Sequence, residues 1–292
     1  MRKRAAAQSV QRYGALDWIR GITLISMILY HGAWDLVYLF GVNWGWYRSE
    51  GAYVWQQSIC WTFILLSGFC WALGRAPEGT AAPFRRAQGG QPGGGGAPDG
   101  RLSQGRPARR LPLKKLRRGL TVFAGGALIT AVTVAFMPDN RVVFGVLTLL
   151  GSCMLLLLPL WGAMQKIPPV AGTAASFVLF LLTRNVNRGF LGFEGWNLAS
   201  LPEGWYRNPF TTWLGFPEPG FFSTDYFSLI PWIFLFLTGA FFSLQMQKKG
   251  MPRCLSSVRI PALEWVGRHS LELYMIHQPA LYAVLWILRT AL

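Results

Sequence analysis

The chain has 292 residues, of which 52% are hydrophobic and only 14% are charged, and its mean hydropathy is +0.31. Soluble globular domains carry about 25% charged residues, so this composition excludes an ordinary soluble protein, and the apolar content excludes a disordered chain. The formal net charge of +16 does not require a nucleic-acid partner, because membrane proteins concentrate Lys and Arg on their cytoplasmic side.

Seven segments are long and apolar enough to cross a bilayer core of roughly 30 Å as helices. They are residues 16–40, 52–74, 118–137, 141–164, 168–184, 227–246 and 263–288. The first is not a cleavable signal peptide, because it is too long and carries ionisable residues. The sequence therefore predicts an all-α, polytopic membrane helix bundle of about seven transmembrane helices, with the lipid bilayer as its surroundings.

The distribution of Lys and Arg predicts the orientation of this bundle. If the N-terminus is cytoplasmic, 22 of the 28 Lys and Arg residues fall in cytoplasmic pieces. This bias predicts a cytoplasmic N-terminus. The resulting division is a basic cytoplasmic tail (1–15), helices 1 and 2 (16–74), a cytoplasmic linker (75–117) and helices 3 to 7 (118–292).

Two segments outside the predicted helices differ sharply in composition. Residues 76–112 are rich in Gly, Pro, Ala and Arg, which predicts a flexible linker that cannot build a core. Residues 185–225 are rich in Trp, Tyr and Phe. Aromatic residues of this kind concentrate at membrane surfaces, so this segment is expected to form a lid or interfacial layer on the outer side.

The first predicted helix carries a stripe of ionisable side chains. At about 100° per residue, Asp17, Arg20, His31 and Asp35 fall within about 60° of one another. Ionisable residues at membrane depth face the bundle interior and are functional candidates. Asp35 follows His31 by four residues, within side-chain reach, so its carboxylate could orient the imidazole of a general base. The alternative is that both residues only join helices by hydrogen bonds.

Arg20 and Asp17 lie near the cytoplasmic end of this helix, one turn apart. They could form an interfacial ion pair, or Arg20 could bind a phosphate group.

His277 lies in the last predicted helix, at a depth similar to that of His31. It could make an interhelical hydrogen bond or contact the substrate or cofactor. The sequence contains three histidines and no His/Cys cluster, so we expect no metal site.

Polar residues on the outer side are candidates for acceptor binding. Arg184, Asn187 and Arg188 cluster near the outer end of the fifth predicted helix, where they could bind an anionic or sugar-like acceptor or mark the interface. Asp225 precedes the sixth predicted helix. It could serve as the N-cap of that helix or orient the acceptor.

Several of these segments resemble one family of membrane enzymes. The segment LDWIRGITLISMILYHGAWDL (16–36) is similar to the opening helix of the transmembrane acyltransferases, and its Arg-x10-His spacing resembles the acyltransferase-3 signature. The HxxxD continuation is closer to the heparan-α-glucosaminide N-acetyltransferase catalytic-domain family and its bacterial relatives. The segment FILLSGFCWALGR (63–75) resembles the second helix of both families. The segments GFFSTDYFSLIPWIFLFLTGAFF (220–242) and LEWVGRHSLELYMIHQP (263–279) resemble the last two helices of the acetyltransferase family.

The resemblance implies an acyltransferase that uses an acyl-CoA, in the first place acetyl-CoA, as co-substrate and His31 as its catalytic histidine. The nucleotide end of the donor would then lie near Arg20, Arg117, Arg118 and Arg268. His31 could act as a base toward a hydroxyl or amine of a small-molecule or glycan acceptor, or as a nucleophile. The resemblance also implies a homodimer and a bacterial cytoplasmic membrane. A proton-coupled transporter or flippase that uses His31 and Asp35 is the alternative function.

Overall fold

A computed structural model describes residues 13–73, 113–252 and 254–291. Most of the predicted basic tail and of the predicted linker lies outside these ranges. The described residues form these helices: α1 (Gly14–Tyr38), α2 (Glu50–Leu73), α3 (Leu113–Phe136), α4 (Val146–Met164), α5 (Pro169–Leu182), α6 (Pro209–Leu214), α7 (Leu229–Lys249), α8 (Cys254–Ser257), α9 (Pro261–Arg268) and α10 (Ser270–Ala291). Two short antiparallel strands, β1 (Phe190–Phe193) and β2 (Trp196–Ser200), form a hairpin between α5 and α6.

The architecture is that of an all-α polytopic membrane protein, as the sequence predicts. Within the described ranges, five helices are long and apolar enough to cross a membrane: α3, α4, α5 with the turn after it, α7 and α10. Helices α1 and α2 have 25 and 24 residues, which is also long enough to span a bilayer. They carry more polar residues and fall outside that group of five.

The centre of the bundle is built where α2 crosses α7 at a short distance. A Cβ atom added to Gly68 would lie 1.9 Å from the carbonyl oxygen of Phe236, and one added to Gly239 would lie 2.0 Å from that of Leu65. Only glycine permits such an approach of two backbones, and small residues are typical of helix crossings in membranes. Fully buried aromatic side chains from α4, α5 and α7 surround this crossing, namely Trp161, Phe180 and Phe236.

The structure corrects two predicted boundaries. Residues 113–117, assigned to the linker, belong to α3, because Leu, Lys and Arg there are good helix formers and continue its first turns. The seventh predicted segment, 263–288, is not one helix, since the chain leaves helical geometry at His269 and divides into α9 and α10. Helix α9 packs against α1, where Gly21 and Gly267 allow the two backbones to touch.

The four-residue spacing of Glu264, Arg268 and Glu272 predicts a ladder of ion pairs along one continuous helix, and the break between α9 and α10 removes it. Glu264 instead forms a two-pronged salt bridge with Arg259, with Nε–Oε1 and Nη2–Oε2 distances of 2.6 and 2.9 Å. The Arg259 guanidinium holds the pKa of the Glu264 carboxyl below its ordinary value. Because Glu264 is buried against α1, this pair fixes the segment before α9 to the start of the first helix.

The aromatic outer segment is an ordered layer rather than an open loop. The Asn185 amide donates to the carbonyl oxygen of Glu194 in the hairpin turn (2.7 Å), and the Tyr206 hydroxyl donates to the carbonyl oxygen of Val186 (2.6 Å). Strand β2 faces outward along its whole length. The hairpin and α6 therefore cover the outer ends of α5 and α7, in the place where the sequence predicts a lid or interfacial layer.

Candidate active site

Two histidines meet where α1 and α10 face each other. The ring centroids of His31 and His277 lie 5.1 Å apart. His277 is 9% exposed, and its Nδ1 atom lies 2.6 Å from the carbonyl oxygen of Tyr274. A carbonyl oxygen only accepts, so Nδ1 of His277 carries the proton and donates it. In the neutral ring Nε2 then holds a lone pair, and this atom is buried with no hydrogen-bond partner among the described residues.

Asp35 is joined to α10 rather than to His31. Its side chain is fully buried, and Oδ1 accepts a hydrogen bond of 2.7 Å from the amide nitrogen of Gln278. The direct Asp35–His31 hydrogen bond expected from the i, i+4 spacing is not among the contacts of the described residues. The spacing brings the two side chains onto one face, but Gln278 from the opposite helix donates to Oδ1, and Oδ2 is buried with no hydrogen-bond partner among the described residues. Asp35, one turn beyond His31, and Gln278, directly after His277, thus tie α1 to α10 beside the histidine pair.

An inner cavity of about 120 Å³ leads from the predicted cytoplasmic end of the bundle to Tyr274. Arg20 and Arg118 lie at this end of the cavity. Its other lining residues are Phe63, Ser67, Cys70, Trp71, Thr121, Val122, Leu147, Leu150, Met154, Ser270 and Leu271. The ring of Tyr274 lies 5.2 Å from that of His277. The inner cavity therefore has two guanidinium groups at one end and the histidine pair beyond the other.

The structure separates the predicted donor-binding residues. Arg20 lines the inner cavity and its Nη1 lies 3.5 Å from Oδ1 of Asp17, one turn away. Arg118 lines the same cavity from α3, whereas Arg117 and Arg268 are not part of its wall. His277 belongs to the histidine pair. Two of the four arginines that the sequence suggested for the donor thus meet at one place.

An outer cavity of about 500 Å³ lies between the outer ends of α1, α3 and α10. Its lining combines aromatic rings with polar side chains. The residues are Leu39, Phe40, Phe136, Met137, Pro138, Asp139, Asn140, Tyr282, Trp286 and Arg289. The Phe40 ring lies 5.9 Å from the Tyr282 ring, and the guanidinium of Arg289 lies 5.9 Å from the centre of Phe40. Leu39 and Tyr282 follow Asp35 and Gln278 by one helical turn, so this cavity begins just outside the histidine pair.

The predicted acceptor-binding cluster near residue 184 is largely engaged within the protein. Arg184 donates to Gln57 (3.0 Å), lies 3.5 Å from the Glu194 carboxylate and stacks over Trp232. The Asn187 amide donates to the carbonyl oxygen of Gly215 and to the hydroxyl of Ser228. These contacts join the outer layer to α2 and α7. Arg188, in contrast, is exposed at the surface.

Asp225 lies at the start of α4, not at the start of the following helix. Helix α7 begins at Leu229 and Ser228 is its N-cap residue, so the N-cap role proposed for Asp225 in its own helix is wrong. Its carboxylate instead accepts a hydrogen bond from the backbone of Val146 and approaches Tyr274 closely enough to interact electrostatically. Burial raises the pKa of Asp225 to about 6, against the effect of the Val146 hydrogen bond.

Sequence reasoning missed Gln278 and the walls of the outer cavity. A signal for them was present in α10, because Gln278, Tyr282, Trp286 and Arg289 follow one another at intervals of four, four and three residues and share one face. No signal identified Asp139 and Asn140, whose position depends on the turn after α3.

Within the described ranges, no group of three His, Cys, Asp or Glu side chains could hold a metal ion.

Comparison with known proteins adds the family. The family model described as "Heparan-alpha-glucosaminide N-acetyltransferase, catalytic" matches residues 12–279, which is most of the chain. A search of the curated proteins and a search of the solved structures gave no match. The matched range includes both histidines, the Asp35–Gln278 pair and the lining of the inner cavity. This chain therefore belongs to the heparan-α-glucosaminide N-acetyltransferase catalytic family of membrane acetyltransferases.

Proposed function

We propose that this protein transfers an acetyl group from acetyl-CoA to a hydroxyl or amine of a sugar-like acceptor, with His31 as general base. We place it in a bacterial cytoplasmic membrane. The observation that carries this proposal is the histidine pair between α1 and α10, with one cavity on its cytoplasmic side and another on its outer side. The family to which the chain belongs supports acetyl transfer as the reaction.

The inner cavity suits an anionic donor with a long arm. Guanidinium groups make strong hydrogen bonds to phosphate, and Arg20 and Arg118 stand at its cytoplasmic end. Beyond them the walls are mainly apolar, and the hydroxyls of Ser67 and Thr121 there donate to the carbonyl oxygens of Phe63 and Arg117 in their own helices. His31 lies 11 residues beyond Arg20 on α1, roughly 16 Å away along the helix axis. The phosphates of CoA would bind at the arginines, with the thioester near the histidine pair.

The chemical step is then a direct acyl transfer. The nucleophilic oxygen or nitrogen of the acceptor forms a bond to the thioester carbonyl carbon, and the C–S bond breaks. His31 takes the proton of the nucleophile, and this proton neutralises the CoA thiolate, so that free CoA leaves as the thiol. A buried position limits competing hydrolysis by water.

The outer cavity suits a carbohydrate acceptor. Aromatic rings provide flat apolar surfaces for the faces of a sugar ring, and the Asp139, Asn140 and Arg289 side chains offer hydrogen-bonding groups for its hydroxyls or amine. Trp286 and Tyr282 lie on the same face of α10 as Gln278. A sugar bound there would reach the histidine pair from the side opposite to the donor.

Purified protein in detergent or nanodiscs, incubated with radiolabelled acetyl-CoA and a panel of amino sugars and neutral glycosides, tests this proposal. We expect acetylated product in proportion to released CoA. Rapid quenching without acceptor distinguishes the two mechanisms, because a nucleophilic His31 would leave radiolabel on the protein and a general base would not. Absence of product with every acceptor would contradict the proposed function.

A further inference from the structure

We infer that His277 selects the tautomer of His31. In this account Nε2 of His277 accepts the N–H of one ring nitrogen of His31, which leaves the other nitrogen unprotonated and able to receive the proton of the acceptor. His277 is then a positioning residue that acts through His31. The inference rests on the proposed function only in giving His31 the role of base.

The hydrogen bond from Nδ1 of His277 to the Tyr274 carbonyl oxygen fixes which nitrogen of His277 is protonated. The carbonyl belongs to the same helix, three residues earlier, so the ring is held by α10 itself. Nε2 is therefore an acceptor in the neutral ring. This atom is buried, and no donor among the described residues satisfies it. A buried acceptor without a donor is costly, so a group with a proton is expected beside it.

Two polar rings lie next to His277, that of Tyr274 on the same helix at a centroid separation of 5.2 Å and that of His31 from α1 at 5.1 Å. No hydrogen bond joins the two histidine rings among the contacts of the described residues, so one side chain must rotate to bring two ring nitrogens to hydrogen-bond distance. Two lone pairs facing each other would repel, so the His31 nitrogen nearest His277 is the one that carries hydrogen. The sequence assigned this orienting role to Asp35, but the Asp35 Oδ1 atom accepts from Gln278. His277 is placed to take over that role.

Two conservative variants separate tautomer selection from mere packing. In His277→Asn, the side-chain amide nitrogen replaces Nδ1 and can still donate to the Tyr274 carbonyl oxygen, but nothing occupies the Nε2 position. In His277→Gln, the longer side chain places an amide oxygen near the Nε2 position, where it can accept the N–H of His31. His269→Asn is the matched control, since His269 is exposed at the break between α9 and α10.

For acetyl transfer, we expect His277→Asn to lower kcat by about 10²-fold or more, with the KM for acetyl-CoA unchanged. His277→Gln should stay within several-fold of the unmodified protein, and so should His269→Asn. An active His277→Asn variant would show that His277 is structural. Equal loss in the Asn and Gln variants would also overturn the inference, because the ring itself would then be needed.

A second measurement does not depend on turnover. The chain has three histidines, so ¹⁵N-histidine NMR of the labelled protein shows three rings, and His269→Asn assigns one of them. We expect a single His31 tautomer in the unmodified protein and in His277→Gln, and a mixture in His277→Asn. A tautomeric mixture in the unmodified protein would refute the inference. A single tautomer in a protein that acetylates no acceptor would instead refute the proposed function.

Discussion

Two arginines from different helices converge at the cytoplasmic end of the inner cavity. Arg20 comes from α1 and Arg118 from α3, and they lie 98 positions apart in the sequence, so no local pattern could pair them. Arg117 is next to Arg118 in sequence but does not line the cavity. Two guanidinium groups therefore stand at adjacent positions, one in the cavity wall and one outside it. Arg117 is a matched control for substitutions of Arg118.

We expect Arg20→Ala and Arg118→Ala each to weaken acetyl-CoA binding by about tenfold to a hundredfold, because a hydrogen bond to a charged group contributes about 1.5–3 kcal/mol. Arg117→Ala should leave the Kd nearly unchanged. Isothermal titration calorimetry of the three variants with acetyl-CoA measures this difference. If all three arginines had equal effects, the donor would be held by general positive charge rather than by the inner cavity.

On the outer side, the aromatic wall of α10 should contact the acceptor and not the donor. We expect Trp286→Ala to raise the acceptor KM by about three- to tenfold, since an aromatic stacking contact contributes about 0.5–1.5 kcal/mol. The KM for acetyl-CoA should not change. Trp196→Ala is the control, because Trp196 is 80% exposed in β2, outside the cavity. Equal effects of the two variants on the acceptor KM would place the acceptor elsewhere.

At the scale of single residues, the sequence identified His31, His277, Arg20 and Asp35 as functional candidates but not their contacts. Helical periodicity predicts which side chains share a face, and it placed the four ionisable residues of the first helix together. It cannot predict that Asp35 meets Gln278, 243 positions later. The rotamer of Asp35 and the packing of α10 against α1 decide which group the carboxylate contacts, and no local sequence pattern contains this information.

At the scale of helices, the pair α9 and α10 shows where periodicity fails. The apolar content of residues 263–288 is continuous, so composition predicts one helix, whereas the chain turns at His269. The turn lets α9 lie against α1 through Gly21 and Gly267 while α10 carries His277 toward His31. Hydropathy detects the length of an apolar segment but not a break in its helical geometry. The bidentate Arg259–Glu264 salt bridge that holds this segment cannot be predicted from hydropathy either.

The Arg259–Glu264 pair should make the stability of this region depend on pH. Because the pKa of Glu264 is lowered in the folded protein, its contribution is present above its ordinary pKa of 4.5 and is lost as the pH falls through the lowered value. Glu264→Gln should therefore lower the melting temperature at neutral pH, with the difference from the unmodified protein shrinking below about pH 4.5. Thermal unfolding in detergent between pH 3 and 7 measures this.

Glu272→Gln provides the control for that experiment, because Glu272 is exposed on α10. Its melting temperature should follow that of the unmodified protein throughout the pH range. A Glu264→Gln variant with the same melting temperature at neutral pH as the unmodified protein would show that the pair does not stabilise the fold.

For the whole molecule, composition was sufficient to predict an all-α membrane bundle, because the apolar segments exceed what a soluble fold can bury. The hairpin of β1 and β2 was not predictable, since its strands are short and β2 is exposed. The two cavities were not predictable either, because each is formed by the ends or faces of several helices. In the proposed function, their positions on either side of the histidine pair give the bundle a donor side, predicted to be cytoplasmic, and an acceptor side, predicted to face outward.

This orientation can be tested with single cysteines in a chain whose four native cysteines are replaced by serine. We expect Leu198→Cys, in the exposed strand β2, to react with a membrane-impermeant maleimide in intact cells. Gly95→Cys, in the linker predicted to be cytoplasmic, should react only after the membrane is permeabilised. Labelling of Gly95→Cys in intact cells would reverse the assignment of the two sides.

The central claim is that His31 is the base of an acetyl transfer, and the rate of transfer by His31→Ala tests it most directly. We expect this variant to bind acetyl-CoA with unchanged Kd, because the arginines that hold the phosphates lie roughly 16 Å away along the helix. Its rate of acceptor acetylation should fall by about 10²–10⁴-fold, whereas His269→Ala should keep the full rate. A folded His31→Ala variant that acetylates the acceptor at the rate of the unmodified protein would contradict the account.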